Sequence, residues 1–254
     1  MHTTRRQLLV SVQNVREAQL ARSLGVPWID LKNPALGSLG RPDLLTARKV
    51  AAELKRTETS DVGQTSVALG ELRTLQIAAA RELMGMFPVS KIGLAGLGAL
   101  GGPNRALRNQ LDTLLAQRCD GSELVLAIYA DHQRAGAPKP EAVIELARQF
   151  QMRYVLIDTF IKDGRGLFQW LDAVQLQNLN EQAAEIGASL VIAGSLQTTD
   201  WSQLDQLGSI IVGVRGGVCT SHSDRSSRLC ENRLQQWLNW SEQVSLQPSV
   251  HDQT

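Results

Sequence analysis

The chain has 254 residues, of which 43% are hydrophobic and 20% are charged, so it can bury a large core and is not intrinsically disordered. Its 26 Lys and Arg residues against 25 Asp and Glu give a net charge of +1, which argues against a dedicated nucleic-acid or anionic-membrane surface. The sequence shows no membrane-spanning run, no secretory signal and no disulfide framework. We therefore expect a cytoplasmic protein with no membrane and no nucleic-acid partner.

Eight short apolar runs predict β-strands. Each has about five to seven aliphatic or β-branched residues and is bounded by Gly, Asp or Ser. Because the runs are apolar on both faces, they favour a parallel sheet that is buried under helices. The predicted strands are residues 8–12, 28–32, 64–69, 91–95, 124–129, 154–159, 190–195 and 210–216.

Amphipathic segments separate these runs and predict helices, because their apolar residues recur three and four positions apart. The predicted helices are residues 16–24, 43–56, 71–86, 104–118, 140–150, 170–186, 200–207 and 225–240. Eight strand–helix units without a break in composition favour a single-domain (β/α)8 TIM barrel over a doubly wound sheet. We place the catalytic domain at residues 1–240 and a mobile C-terminal tail at 241–254.

Polar residues gather where the predicted strands end, and the catalytic groups of a TIM barrel lie at that end of its strands. Asp30 and Lys32 close the second strand, with Asn33 after them. They point the same way, because residues two apart share a face of a strand. Asp158 closes the sixth strand, with Lys162 just beyond it. Each residue alone is better explained as a polar cap of its strand, but the set predicts a site.

Lys91 is an exception, since it stands at the start of the fourth predicted strand. Taken alone, it is best explained as a solvated lysine on the floor of the barrel. Gly93 and Ala95 share its face, however, and leave space for the lysine stem to run up the barrel interior. The presence of Lys32 and Lys162 at the other end favours this second interpretation.

Three lysines and two aspartates suggest imine chemistry. An amine attacks a carbonyl only when it is deprotonated, and desolvation and neighbouring cations lower a lysine pKa towards that state. Carboxylates such as Asp30 and Asp158 can then transfer the protons. The alternative is a purely electrostatic role, in which the lysines hold phosphate.

Glycines and an arginine follow the last two predicted strands, as Gly194-Ser195 and Arg215-Gly216-Gly217. In TIM barrels this region commonly binds phosphate, because glycines expose backbone N–H groups to the anion and an arginine adds a charged fork. We predict a phosphate-binding site here. The alternative is a pair of ordinary glycine turns.

Two further signals are set aside. The motif GLGALG at residues 96–101 matches a dinucleotide-binding fingerprint, but Pro103 follows where a Rossmann helix would already run. His132 and His222 lie in predicted loops without the spacing of a metal site. We therefore expect no cofactor and no metal.

Several longer motifs stand in one order between roughly residues 8 and 235. They are IDLKNPALGSLG from residue 29, KIGLAG from 91, LIDTFIKDGRGLF from 156, IAGSL from 192 and VGVRGGVC from 212, followed by Asp224-Arg225. In these motifs the chain resembles the (5-formylfuran-3-yl)methyl phosphate synthase family.

The resemblance implies a TIM-barrel lyase that condenses two glyceraldehyde 3-phosphate molecules into a phosphorylated furan aldehyde, with release of phosphate and water. Such an enzyme acts in the biosynthesis of methanofuran, or of a methanofuran-like carrier in one-carbon metabolism, and needs no cofactor. The resemblance also implies that Lys32 is the Schiff-base lysine and Lys91 the second active-site lysine. Asp30, Asp158 and Lys162 would then fill the remaining acid–base and binding roles.

The chain departs from the family pattern at two positions, where Ala95 replaces a frequent Tyr and Glu71 a frequent Asp. Two other functions stay open: another class I aldolase or phosphosugar isomerase, and a non-catalytic barrel that binds sugar phosphates. Trp201, Trp237 and Trp240 face either a partner subunit or the barrel wall, so the sequence leaves a homo-oligomer open.

Overall fold

A computed structural model describes residues 3–4, 6–56, 64–98, 105–116, 121–208, 210–221, 224–243 and 245–246. Eight parallel strands form a closed barrel in which each strand pairs with the next and the last pairs with the first. The predicted single-domain (β/α)8 TIM barrel is therefore confirmed. The strands are β1 (Thr3–Thr4), β2 (Arg6–Val12), β3 (Trp28–Leu31), β4 (Gln64–Glu71), β5 (Val89–Gly93), β6 (Glu123–Tyr129), β7 (Tyr154–Asp158), β8 (Ser189–Ile192), β9 (Ile210–Val214) and β10 (Ser245–Leu246), of which β2–β9 form the barrel.

Helices follow the barrel strands and cover their outer faces. They are α1 (Val15–Ser23), α2 (Leu44–Lys55), α3 (Ile77–Met86), α4 (Arg105–Leu115), α5 (His132–Ala135), α6 (Pro140–Gln149), α7 (Ala173–Glu185), α8 (Trp201–Leu204) and α9 (Glu231–Glu242). Asn14, Asp43 and Asp172 begin three of them by accepting a hydrogen bond from a backbone N–H of the first turn. Within the described ranges, no helix is both long enough and apolar enough to cross a membrane.

Two predicted elements are shifted along the chain. The predicted helix 71–86 begins only at Ile77, because β4 extends through Glu71 and residues 72–74 form a single 3-10 turn. The fourth barrel strand, β5, begins at Val89, so Lys91 lies in its middle and not at its start. This register places the Lys91 side chain inside the barrel.

The last helix also differs from the prediction of residues 225–240. It begins at Glu231, because residues 224–230 form a loop in which Leu229 pairs with Cys219 in an isolated β-bridge. It ends at Glu242, so the predicted boundary at 240 falls inside the helix. Residues 245–246 then pair antiparallel with residues 3–4. The rest of the predicted tail, 247–254, lies outside the described residues.

The barrel interior is filled by apolar side chains at its base and lined largely by small side chains above. The apolar base contains Leu9, Trp28, Val89, Val125, Val191 and Ile211. Above this layer seven inward-facing positions carry small residues, which are Ser11, Ser66, Ala68, Gly93, Ala127, Ala193 and Gly213. Small side chains cannot fill the barrel, so a cavity remains at the C-terminal ends of the strands.

Three tryptophans pack together on the outside of the barrel wall. Trp237 is fully buried and meets Trp201 and Trp240 edge to face, with ring centroids 5.5 and 5.4 Å apart. The guanidinium of Arg6 lies 4.7 Å from the centroid of the Trp240 ring and forms an ion pair with Asp205. Trp237 and Trp240 are therefore buried against the barrel wall, and Trp201 is partly buried against them.

Candidate active site

A cavity of about 680 Å³ opens at the C-terminal ends of the barrel strands. It brings together most of the residues that the sequence predicts for the site, although they come from five different barrel units. The predicted residues that line it are Lys32, Lys91, Asp158, Lys162, Gly194, Ser195, Arg215 and Gly216. Asp30 lies directly beneath, in contact with Lys91.

Asp30 is the most deeply buried of these charged groups, with no exposed surface. The Lys91 ammonium lies 2.6 Å from one of its carboxylate oxygens. Ser66 donates a hydrogen bond of 2.7 Å to the same oxygen, and Ser11 donates one of 2.9 Å to the other. The two serines stand beside Asp30 in register on β4 and β2. These partners compensate the buried charge and fix the carboxylate in place.

Lys32 follows β3 and is only 7% exposed. Within the described ranges, its ammonium has no hydrogen bond or ion pair. Burial lowers the pKa of Lys32 to about 7, with help from the positive charges of Arg225 and Lys91 and against the opposing charges of Asp158 and Asp30. Lys32 therefore loses its proton much more readily near neutral pH than an ordinary lysine does.

Asp158 and Lys162 form a second ion pair, with Nζ of the lysine 2.6 Å from the carboxylate. Lys162 also donates a hydrogen bond of 2.9 Å to the Thr159 hydroxyl, and Ser38 donates one to the other oxygen of Asp158. Burial opposes ionisation of Asp158, but the charges of Lys162 and Lys32 outweigh it and hold its pKa well below the usual range. Burial lowers the pKa of Lys162. Asp158 is therefore an anion at neutral pH.

The guanidinium of Arg215, for which the sequence predicts a phosphate contact, is surrounded by other groups of the protein. Its guanidinium is paired with Glu17 at 2.5 Å and 3.2 Å. It also donates to the carbonyl oxygens of Ser11 at 3.0 Å, Arg225 at 2.8 Å and Ser227 at 2.8 Å. These contacts use all five of its N–H donors, so none is left for phosphate. These contacts favour a structural role for Arg215, and its phosphate contact stays a prediction.

Two other predicted binding residues, Asn33 and Gly217, make contacts with nearby backbone atoms. The carboxamide oxygen of Asn33 accepts a hydrogen bond of 3.1 Å from the amide of Ala35 and begins a short 3-10 turn. Gly217 packs so tightly that a Cβ atom would lie 2.7 Å from the carbonyl oxygen of Leu196. Neither Asn33 nor Gly217 is among the residues described as lining the cavity.

Gly194 and Ser195 both have positive φ, at 120° and 54°. Ser195 is one of only two non-glycine residues with positive φ in the described part of the chain. A positive φ at a non-glycine residue such as Ser195 is a strained conformation, and such strain is found most often at functional sites. The phosphate site at this turn stays a prediction.

A partly buried pair of acidic groups, Glu71 and Tyr129, lies at the ends of β4 and β6, and the sequence analysis gives it no role. The Tyr129 hydroxyl donates a hydrogen bond of 2.5 Å to Glu71, whose carboxylate also accepts one of 2.9 Å from the amide of Ala95. Burial raises the pKa of both Glu71 and Tyr129. The hydroxyl of Tyr129 fits here because Gly93, between the two side chains, has no Cβ.

Two further residues of the site were missed, although both lie in motifs that carry the family resemblance. Ser38 belongs to the motif at 29–40, and Arg225 follows Asp224 in the loop after β9. Arg225 lines the cavity, and burial lowers its pKa. A role for either residue can be assigned only once the fold is known, because the groups that each residue faces come from distant parts of the chain.

The glycine motif at 96–101 lies only partly within the described residues, which exclude 99–104. The amides of Gly96 and Gly98 donate to the carbonyl oxygens of Ala135 and Gly136, so they do not face an open anion site. His132 lies in α5, and His222 is outside the described ranges. In the described ranges, no group of three or more His, Cys, Asp or Glu side chains is placed to hold a metal.

Comparisons with known proteins agree with the motifs. A model of the 4-HFC-P synthase family matches residues 8–238. A (5-formylfuran-3-yl)methyl phosphate synthase from Methanococcus maripaludis is 30% identical over 230 residues, covering 87% of this chain and 93% of the relative. The synthase of that name from Methanopyrus kandleri is 31% identical over 236 residues, covering 91% and 96%.

Solved structures with similar folds show the barrel alone. GGGPS from Thermoplasma volcanium aligns with a TM-score of 0.61 at 8% identity, covering 96% of this chain and 95% of the other. KGPDC from Streptococcus mutans, in complex with D-R5P, aligns with a TM-score of 0.59 at 10% identity, covering 92% and 96%. These identities are too low to carry an argument about function.

Proposed function

The chain belongs to the 4-HFC-P synthase family, and from this membership we propose that it condenses two molecules of glyceraldehyde 3-phosphate into (5-formylfuran-3-yl)methyl phosphate. One phosphate and two waters leave, and there is no net oxidation or reduction. The product serves the biosynthesis of methanofuran, or of a methanofuran-like carrier, in the cytoplasm. The enzyme acts as a lyase through a lysine Schiff base.

The observation that carries this proposal is the state of Lys32. It is buried, faces a cavity, has no partner among the described residues and has a pKa of about 7. A lysine in this state supplies a neutral amine at physiological pH, and such an amine adds to an aldehyde or ketone. Lys91 and Lys162 are held as ion pairs with Asp30 and Asp158, which makes them weaker nucleophiles.

The carbon skeleton of the product fixes the bond that must form. Its phosphorylated carbon is attached to ring carbon 3 and its formyl group to ring carbon 5, so two three-carbon units are joined between ring carbons 3 and 4. The bond therefore joins the central carbon of a dihydroxyacetone phosphate unit to the terminal carbon of the other unit, from which phosphate has left. One glyceraldehyde 3-phosphate is first isomerised to the ketone by proton transfer.

In the proposed sequence, Lys32 condenses with the aldehyde of the second molecule and water leaves. Removal of the proton from the central carbon then expels the terminal phosphate and gives the enol of a conjugated imine. The terminal carbon of this enol attacks the ketone, and the ketone oxygen takes up a proton. A hydroxyl of the ketone unit closes the ring, two waters leave, and hydrolysis of the imine releases the formyl group and Lys32.

Each of these steps needs a group that takes up or returns a proton. The Asp158–Lys162 pair lines the cavity, and the Asp30–Lys91 pair lies at its base. Each pair holds a carboxylate and an ammonium within 2.6 Å, so it can act as a base through one member and as an acid through the other. The turn at Gly194 and Ser195 and the amide of Gly216 offer donors for one phosphate.

The direct test is to incubate the protein with glyceraldehyde 3-phosphate and follow ultraviolet absorbance, phosphate release and the mass of the product. We expect a furan aldehyde and one phosphate per product. Lys32→Ala should lower the rate by roughly 1000-fold or more, whereas Lys49→Ala, at an exposed lysine of α2, should not change it. A reversible, non-aromatic product would favour another aldolase or isomerase, and phosphate binding without turnover would favour a non-catalytic barrel.

A further inference from the structure

Among the residues that the structure describes, five cationic side chains line the cavity, and three of them are paired with carboxylates. The pairs are Lys91–Asp30, Lys162–Asp158 and Arg215–Glu17. Of the remaining two, Lys32 acts as a nucleophile only as the neutral amine. Among the described residues, Arg225 is therefore the cation that is left for an anionic ligand.

The environment of Arg225 suits such a ligand. Its side chain is half-buried at the cavity wall, and its guanidinium makes no hydrogen bond or ion pair to any residue that the structure describes. Burial lowers the pKa of Arg225, with help from the charge of Arg215 and against the opposing charge of Asp158. A guanidinium is a planar fork that matches the oxygens of a phosphate group.

The backbone that carries Arg225 is held by the other arginine. Arg215 donates to the carbonyl oxygens of Arg225 and Ser227, both at 2.8 Å, while its opposite edge is paired with Glu17 on α1. Ser227 closes the loop by donating a hydrogen bond of 2.6 Å to the carbonyl oxygen of Asp224. The buried Arg215–Glu17 pair therefore fixes the position of the loop, and the loop places Arg225 at the cavity.

We propose that Arg225 binds a phosphoryl group of the substrate, and that Arg215 is a positioning residue that holds the loop carrying it. The inference rests on the proposed function for the identity of the phosphate ester, but the binding of a phosphoryl group can be measured without turnover. Arg225 has a second effect, because its charge acts on Lys32 together with those of Lys91, Asp30 and Asp158.

The test compares Arg225→Gln and Arg225→Lys with Arg48→Gln, which removes an exposed arginine of α2 that is paired with Glu82. Binding of inorganic phosphate is measured by calorimetry on the full chain. Arg225→Gln should weaken it by roughly 10- to 100-fold and Arg225→Lys by less, since a charged hydrogen-bond pair is lost only in the first. Arg48→Gln should bind as the wild type does.

A second readout follows the pH dependence of turnover. Arg225→Gln should raise the KM for glyceraldehyde 3-phosphate and move the midpoint of the pH–rate profile to higher pH, because Lys32 loses a neighbouring cation. Arg225→Lys should keep the midpoint close to that of the wild type. If Arg225 had a purely structural role, Arg225→Gln would leave the midpoint unchanged, and Arg225→Gln and Arg225→Lys would have the same pH–rate profile.

The outcomes separate this inference from the proposed function. Unchanged phosphate binding and KM in Arg225→Gln would overturn the inference, even if the wild type forms the furan. If the wild type forms no furan but Arg225→Gln still weakens phosphate binding, the inference stands and the proposed function fails.

The positioning role of Arg215 has its own test. Arg215→Lys keeps the charge but cannot donate to both carbonyl oxygens of the loop, so phosphate binding should weaken as in Arg225→Gln. Glu17→Gln provides the same test if Arg215→Lys does not fold. A folded variant of either kind with wild-type phosphate affinity would overturn the positioning role.

Discussion

The ammonium nitrogen of Lys91 lies 2.6 Å from a carboxylate oxygen of Asp30, although their strands, β5 and β3, are separated by β4. The contact over β4 is possible because the two residues of β4 that lie beside Asp30 and Lys91, Ser66 and Ala68, have small side chains. Lys91 thereby neutralises the carboxylate that stands two residues before Lys32. Lys32 is left without a counter-ion of its own, which is the condition for a reactive amine.

The pH dependence of the rate follows from this arrangement. Burial, Arg225 and Lys91 outweigh the aspartates and lower the pKa of Lys32 to about 7, so the amine is protonated and inactive below that pH and neutral above it. We expect kcat/KM for glyceraldehyde 3-phosphate to rise with pH and to level off above a midpoint near 7. A rate that continues to rise beyond pH 9 would show that Lys32 has an ordinary pKa.

The buried ion pair can be tested through stability. Asp30→Asn leaves Lys91 buried without a counter-charge, and we expect the free energy of unfolding in urea to fall by about 3–5 kcal/mol. The double variant Asp30→Asn with Lys91→Met should recover most of this loss but none of the activity. The exposed pair Arg48–Glu82 is the control, since Glu82→Gln should cost about 1 kcal/mol or less. Equal losses in Asp30→Asn and Glu82→Gln would contradict the account.

Gly93 tests the packing around the Glu71–Tyr129 pair. A Cβ at Gly93 would overlap both the Glu71 carboxylate and the Tyr129 hydroxyl, so Gly93→Ala should lower the free energy of unfolding by about 1–3 kcal/mol. Gly85→Ala is the matched control, because Gly85 lies in α3 with open space at its Cβ position. That change should stabilise the protein by roughly 0.5–1 kcal/mol. A neutral Gly93→Ala would show that the pair moves aside at little cost.

The barrel could be predicted from the sequence because each strand is a local pattern. A buried parallel strand needs an uninterrupted apolar run, and the eight runs are separated by segments with helical periodicity. The strand ends then indicated Lys32, Asp158 and Lys162, since the position of a catalytic group in a TIM barrel follows from the fold. The position of Lys91 in its strand could not be read from the sequence. A shift of two residues in the start of β5 decides whether this side chain lies at the barrel floor or beside Asp30.

The roles of the two arginines could not be predicted, because they depend on partners far away in the chain. Arg215 stands at a strand end beside two glycines, which is a typical phosphate-binding pattern, but Glu17 is 198 residues earlier and occupies its guanidinium. Arg225 lies in a segment that the periodicity assigned to a helix, whereas the structure has a loop at residues 224–230. No local pattern indicates that this loop faces the cavity.

The central claim is that Lys32 is the nucleophile, and one measurement tests it most directly. The protein is incubated with glyceraldehyde 3-phosphate and sodium borohydride, which reduces an imine to a stable amine, and is then digested and analysed by peptide mass spectrometry. We predict a three-carbon adduct on Lys32, with or without its phosphate. An adduct confined to Lys91 or Lys162, or furan formation with no adduct on any lysine, would contradict the claim.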